Sequence, residues 1–86
     1  MIYKVVSIRD RASDLYSAPI FVASLGAAIR SFGDEVNRKA ENNQLNSHPE
    51  DFDLYLIGEW NDESAAFGGG NIVKQIAIGK DYKAKE

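Results

Sequence analysis

The sequence predicts an α+β domain: a twisted antiparallel sheet of four to five strands with one main helix packed on one face. Three observations carry this. Runs rich in β-branched and aromatic residues, several alternating with period two, outnumber helical segments. Only one stretch, beginning at Ser24, places apolar residues at three- and four-residue spacing. The connections between segments are short, which favours antiparallel pairing. The expected order is β-β-α-β-β-β within a single domain of 86 residues.

Each element has a local reason. In "IYKVVSIRD", Ile2, Val6 and Ile8 alternate with Tyr3 and Val5, so both faces are largely apolar and a central strand over residues 2–8 is expected. Residues 9–17, "RDRASDLYS", read as a polar loop. The following "APIFVAS" is a short strand, and Pro19, which cannot donate to a ladder, puts it at an edge or strand start. Leu25, Ala28, Ile29, Phe32 and Val36 then form one helical stripe behind Ser24, whose hydroxyl suits an N-cap. Gly26 and Gly33 each weaken that helix by about 1 kcal/mol relative to alanine, so packing must hold it. Its end is expected near Ala40, with Arg38 and Lys39 in the last turn, where the dipole favours positive charge.

"HPED" at 48–51 reads as a tight turn with Pro49 presetting φ. Phe52, Leu54 and Leu56 alternate with Asp53, Tyr55 and Ile57 as a strand. Gly58 marks a bulge or close backbone approach, after which Trp60 is expected to rejoin the Phe52 set in the core. "NDES" is a four-residue hairpin connection, "AAF" the return strand and "GGG" a loop. "NIVKQIAIG" is expected to be a final strand, with a short helix over 71–77 as the alternative, and residues 80–86 a frayed polar tail.

Composition excludes several chemistries. With no cysteine there is no disulfide framework, thiolate zinc site or cysteine nucleophile. No apolar run approaches a membrane span and "MIYKVVSIRD" lacks the apolar core of a signal peptide, so a soluble cytoplasmic setting with no membrane partner is expected. The acidic groups Glu50, Asp51, Asp53, Glu59, Asp62 and Glu63 fall at a turn and a hairpin, where carboxylates are solvated, so no catalytic pair is expected. His48 with Glu50, Asp51 and Asp53 lacks both the EF-hand order and enough imidazoles for zinc, so no metal and no other cofactor is assigned. "FGGGN" does not match a phosphate-binding loop. The expectation is a protein that is not an enzyme.

Charge is segregated along the chain. Residues 40–69 hold seven acidic groups and no Lys or Arg, whereas residues 1–39 and 70–86 are each net +2. A nucleic-acid contact would use cations near the ends, and Arg9, Arg11, Lys74, Lys80 and Lys83 are the candidates. Tyr3 and Tyr55, with Tyr16 and Tyr82, are candidate stacking residues. One helix cannot cover both sides of the sheet, so Tyr3, Val5, Tyr55 and Ile57 define an uncovered face that either stacks bases or pairs with a second copy or another protein.

"HPEDFDLYLIGEWND", with "PIFVASLGAAIRSFGDEVN" and "IYKVVSIRD", resembles the small nonstructural protein of gokushovirus-type microviruses, phages with single-stranded DNA genomes. The matching segments are residues 2–8, 19–37, 48–51, 52–57, 58–60 and 61–63, and the His-Pro-Glu-Asp-aromatic strand is the specific part. "AAFGGGN" departs from the family pattern, so no role is carried over for that loop. The resemblance implies a non-enzymatic accessory protein of the host cell cytoplasm that binds single-stranded DNA during genome replication or the switch to packaging. The alternative is a homodimeric module that regulates a phage replication or assembly protein.

Overall fold

In the computed structural model, which describes residues 1–70 and 72–84, two long strands carry the sheet. β1 (Ile2–Asp10) and β4 (Phe52–Asn61) pair antiparallel along their whole length. The outer edge of β1 is shared by β2 (Leu15–Tyr16) and β3 (Ile20–Val22), and that of β4 by β5 (Ala66–Gly68) and β6 (Lys74–Ile78). Six strands among the described residues thus make an antiparallel sheet only four strands wide. The α+β architecture expected from the sequence is the one observed. β2 lies where a polar loop was expected: the chain turns back at Arg11–Asp14 and pairs with the end of β1, which runs on to Asp10. The segment at 71–78 yields a strand from Lys74, not a helix; Asn71 lies outside the described residues.

Both hairpin loops use the same device. Asp10 Oδ1 accepts from the Ala12 N–H at 2.9 Å and Asn61 Oδ1 from the Glu63 N–H at 2.9 Å. The last loop residues, Asp14 and Ala65, take left-handed backbone at φ 60° and 56°. The β4–β5 loop therefore spans 62–65, the same four-residue length as the expected "NDES" connection but shifted one residue toward the C-terminus.

α1 (Leu25–Asn37) crosses one face of the sheet, and Ala28, Phe32 and Val36 pack with Val6, Leu54 and Ala77 into the core. Ser24 caps it as expected, its Oγ accepting from the Ala27 N–H at 3.2 Å. The helix stops at Asn37, earlier than expected, so Arg38 lies past its last turn and pairs back to Glu35. Asparagine side chains close this end. Asn43, buried, donates to the Glu35 and Arg38 carbonyls at 2.8 Å each, and Asn46, at the short α2 (Gln44–Ser47), donates to the Val36 carbonyl at 2.9 Å. They satisfy the carbonyls that every helix C-terminus leaves open.

Over its described part the polar tail makes defined contacts with the rest of the fold. Gly79–Asp81 forms a 3-10 turn seated on the matching turn Pro49–Asp51. Tyr82 then packs edge-on against Phe32 at 6.2 Å and over Gly33, where a Cβ would stand 3.2 Å from its ring. Asn37 donates to the Tyr82 carbonyl at 2.8 Å and accepts from the Ala84 N–H at 2.7 Å. Gly33, costly for the helix alone, is thus the seat for an aromatic ring. Residues 85–86 lie outside the described residues.

Candidate functional site

The register of β1 on β4 breaks once, and this break builds the face opposite α1. Val6 pairs with Leu56 and Val5 with Gly58, so Ile57 is the extra residue of a β-bulge. Before the bulge, Phe52, Leu54 and Leu56 share the helix-covered side with Ile8 and Val6. After it the parity inverts: Trp60 pairs with Tyr3, on the side of Tyr55. The expectation that Trp60 rejoins the Phe52 set is therefore corrected. The bulge was anticipated from Gly58; its effect on side-chain parity was not.

Two groups of aromatic rings stand on this face. Phe21 and Trp60 come from strands flanking β1, yet their ring centres are 6.0 Å apart, so they meet above the Val5 that separates them. Phe67 extends the row, 4.8 Å from Trp60 and 6.2 Å from Phe21. This roof explains why Val5 is only 3% exposed on a face with no second layer, while Phe21 at 45% and Phe67 at 71% remain open to solvent. Gly58 stands opposite Val5, and a Cβ there would meet only the Gly68 carbonyl oxygen at 3.4 Å. Nearer the other end, Tyr16 meets Tyr55 edge-on at 5.4 Å, and the Tyr55 hydroxyl donates to Gln75 Oε1 at 3.2 Å.

Beneath these tyrosines lies a polar layer. Asp53 is fully buried, and its Oδ2 accepts from Arg11 Nε at 2.6 Å. Arg9, opposite Asp53 in register, pairs with Asp14. Asp14 chiefly, and the Tyr55 hydroxyl next, hold the Arg9 guanidinium above its ordinary pKa. Arg9 Nε and Asp53 Oδ1 are buried without a protein partner. The Ser7 hydroxyl, also buried, donates to the Ser17 carbonyl at 2.8 Å.

The expected cations do not assemble into one patch of free charge. Arg9 and Arg11 adjoin Asp53 at one end of the sheet, each committed to a carboxylate. Lys83 donates to the Asn46 carbonyl at 3.0 Å. Lys74 and Lys80 are exposed on the β6 side. Of the expected face residues, Tyr3 and Tyr55 do share a face, Val5 is buried in its floor, and Ile57 is the half-buried bulge residue. Phe21, Trp60 and Phe67 were missed by sequence reasoning, because strict alternation gives Trp60 to the core. Tyr82 belongs to the other side, against α1.

The His48, Glu50 and Asp51 ligand atoms come within 4.8 Å of one another at the Pro49 turn, whereas Asp53 is turned away to Arg11. His48 Nδ1 stands 3.8 Å from Glu50 Oε1, both well exposed. The turn itself, closed by the Asp51 N–H donating to the His48 carbonyl at 3.0 Å, accounts for this grouping. No helix among the described residues is long and apolar enough to cross a membrane.

A family described as phage ORF5 protein matches residues 3–82, which takes in all of the strands and both helices save Ile2 at the start of β1. The chain belongs to this phage ORF5 family. No curated protein and no solved structure matches it. Within this ORF5 protein, the matched span includes the bulge, the aromatic rows and the docked Tyr82. It is a phage accessory protein.

Proposed function

We propose that this protein binds single-stranded DNA on the aromatic face of its sheet, as a non-enzymatic accessory factor of a gokushovirus-type phage. The observation that carries the reading is the row Phe21–Trp60–Phe67, backed by Tyr3, Tyr16 and Tyr55. Bases stack on exposed aromatic rings whatever their sequence, each contact contributing roughly 1–3 kcal/mol. A sheet with one face under a helix and the other carrying rings is a geometry suited to splayed, unpaired bases. It would act in the host cytoplasm, during replication or the turn to packaging.

Because Arg9 and Arg11 are already neutralised, stacking rather than counterion release would supply the affinity. With about one or two phosphates contacted, log Kobs should fall against log salt with a slope of only about −0.7 to −1.4. Trp60 is the chain's single tryptophan and so reports directly on the face. Titration with oligo(dT) at low salt should quench its fluorescence, and Phe67→Ala should weaken binding about 5- to 150-fold. Phe67 is mostly exposed, so its loss leaves the fold intact. Unchanged Trp60 emission and no retention of an oligonucleotide at low salt would remove the proposal.

A further inference from the structure

We infer that two copies of this chain join edge to edge through β3, with Phe21 on the two-fold axis. Ser17 shows which way β1 presents its backbone: its N–H donates to the Ile8 carbonyl at 2.8 Å and its Oγ accepts from the Ile8 N–H at 2.9 Å. Alternation then turns Val6 and Lys4 toward the same side, bonding their register partners Ile20 and Val22. The N–H and C=O of Phe21 point away from β1, and no strand among the described residues pairs with that side of β3. In an antiparallel pair centred on Phe21, these two groups meet their own copies and exchange both hydrogen bonds, while Ile20 of each copy lies opposite Val22 of the other.

The edge is suited to a second copy by what it lacks. Residues 15–29 contain no charged side chain, whereas strand edges are commonly guarded by charge. The opposite edge has such a guard in the exposed Lys74. Leu15, Tyr16, Ile20 and Phe21 are all exposed there. Behind β3 opens an apolar cleft of about 200 Å³, lined by Ile20, Val22, Ile8, Ala28 and Phe32. A partner strand carrying its own Ile20 and Val22 on that side would close it; Glu35, the one charged residue of the lining, is paired with Arg38. On the opposite face the pairing would join the two aromatic rows at Phe21. Pro19 limits the ladder to a short one, so the dimer is reversible and concentration-dependent. The inference stands without the DNA reading and is tested without DNA.

Light scattering of the full chain from about 10 μM to 1 mM should show the average mass rising toward twice the monomer, with Ile20→Lys raising the dissociation constant about tenfold or more. Crosslinking provides a second readout that does not depend on how well Ile20→Lys folds. The chain has no cysteine, and an antiparallel hydrogen-bonded pair places its Cα atoms about 5.5 Å apart, inside the roughly 4.4–6.8 Å range of disulfides. Phe21→Cys should therefore form a covalent dimer under mild oxidation far faster than Ser64→Cys at the exposed hairpin tip. A monomer throughout the concentration range overturns the inference. So does a dimer in which Phe21→Cys links no faster than Ser64→Cys, since the contact would then lie elsewhere.

Discussion

Gly79→Ala is expected to destabilise the fold severely, through backbone crowding. A Cβ at this position would lie 2.6 Å from the Phe52 carbonyl oxygen, and closer still to that of Pro49, where ordinary contact begins at 3.4 Å. The shortfall against Phe52 alone is 0.8 Å, and both obstacles are backbone, so no side chain can rotate away. The turn at Gly79–Asp81 must lift from the turn at Pro49–Asp51, loosening Tyr82 from Gly33 and Phe32. That places the cost near or above the ~3 kcal/mol top of the usual overpacking range. Against a total of about 4–13 kcal/mol for a chain this size, this is a large share. At roughly 4–8 °C per kcal/mol, the melting temperature should fall by about 12–24 °C. Thermal unfolding followed by circular dichroism measures it, with Gly26→Ala as the comparison. Gly26 has nothing within 4 Å of its would-be Cβ, so in the helix that change should gain up to about 1 kcal/mol. A Gly79→Ala protein melting within about 2 °C of wild type would refute the close docking of the two turns.

Two further outcomes follow from local geometry. Ala65 holds φ 56° at the end of the β4–β5 loop; left-handed backbone costs an L-residue roughly 1–2 kcal/mol, partly offset in glycine by unfolded-state entropy. Ala65→Gly should therefore stabilise by about 0.5 kcal/mol, a rise of about 2–4 °C in the same melting experiment. The hydrogen bonds from Arg38 hold the Glu35 carboxyl below its ordinary value of 4.5. A depressed folded pKa stabilises above the unfolded value, and that increment is lost as pH falls through the folded one. The pair is well exposed, so solvent screening keeps the increment small. Urea midpoints of Glu35→Gln should trail wild type slightly at pH 7 and converge with it in acid; a gap that widens in acid would contradict the assignment.

The elements legible in the sequence were those set by local chemistry. Period and cap fixed α1, because Ser24 and the Leu25–Val36 stripe act within one helix. Pro19 foretold the edge position of β3, and Pro49 the turn before β4. What escaped depended on residues far apart in sequence. The end of α1 is set by Asn43 and Asn46, whose amides look like turn composition until they meet the helix carbonyls. The contacts of the tail were not legible because Tyr82 is flanked by Asp81 and Lys83; its partners are Phe32 and Gly33, far away in sequence. The cations near the chain ends looked available because Asp53, which holds Arg11, lies on another strand. The aromatic row was hidden by one inserted residue.

That insertion gives β4 two reading frames. Up to Leu56 the even-numbered residues face α1, and from Gly58 onward the even-numbered residues face away. Identity at position 57 is thus a secondary matter; what counts is that the residue is set aside from the ladder. Related chains that differ freely in the side chain there could keep the same surface, and so could one shortened by that residue, since Gly58 would then follow Leu56 in an unbroken ladder; a strand that keeps residue 57 but pairs it regularly would carry Trp60 to the α1 side and bring Glu59 to the rings. In comparing members of this family, whether Gly58 stays opposite Val5 is therefore a more telling character than the letter at position 57.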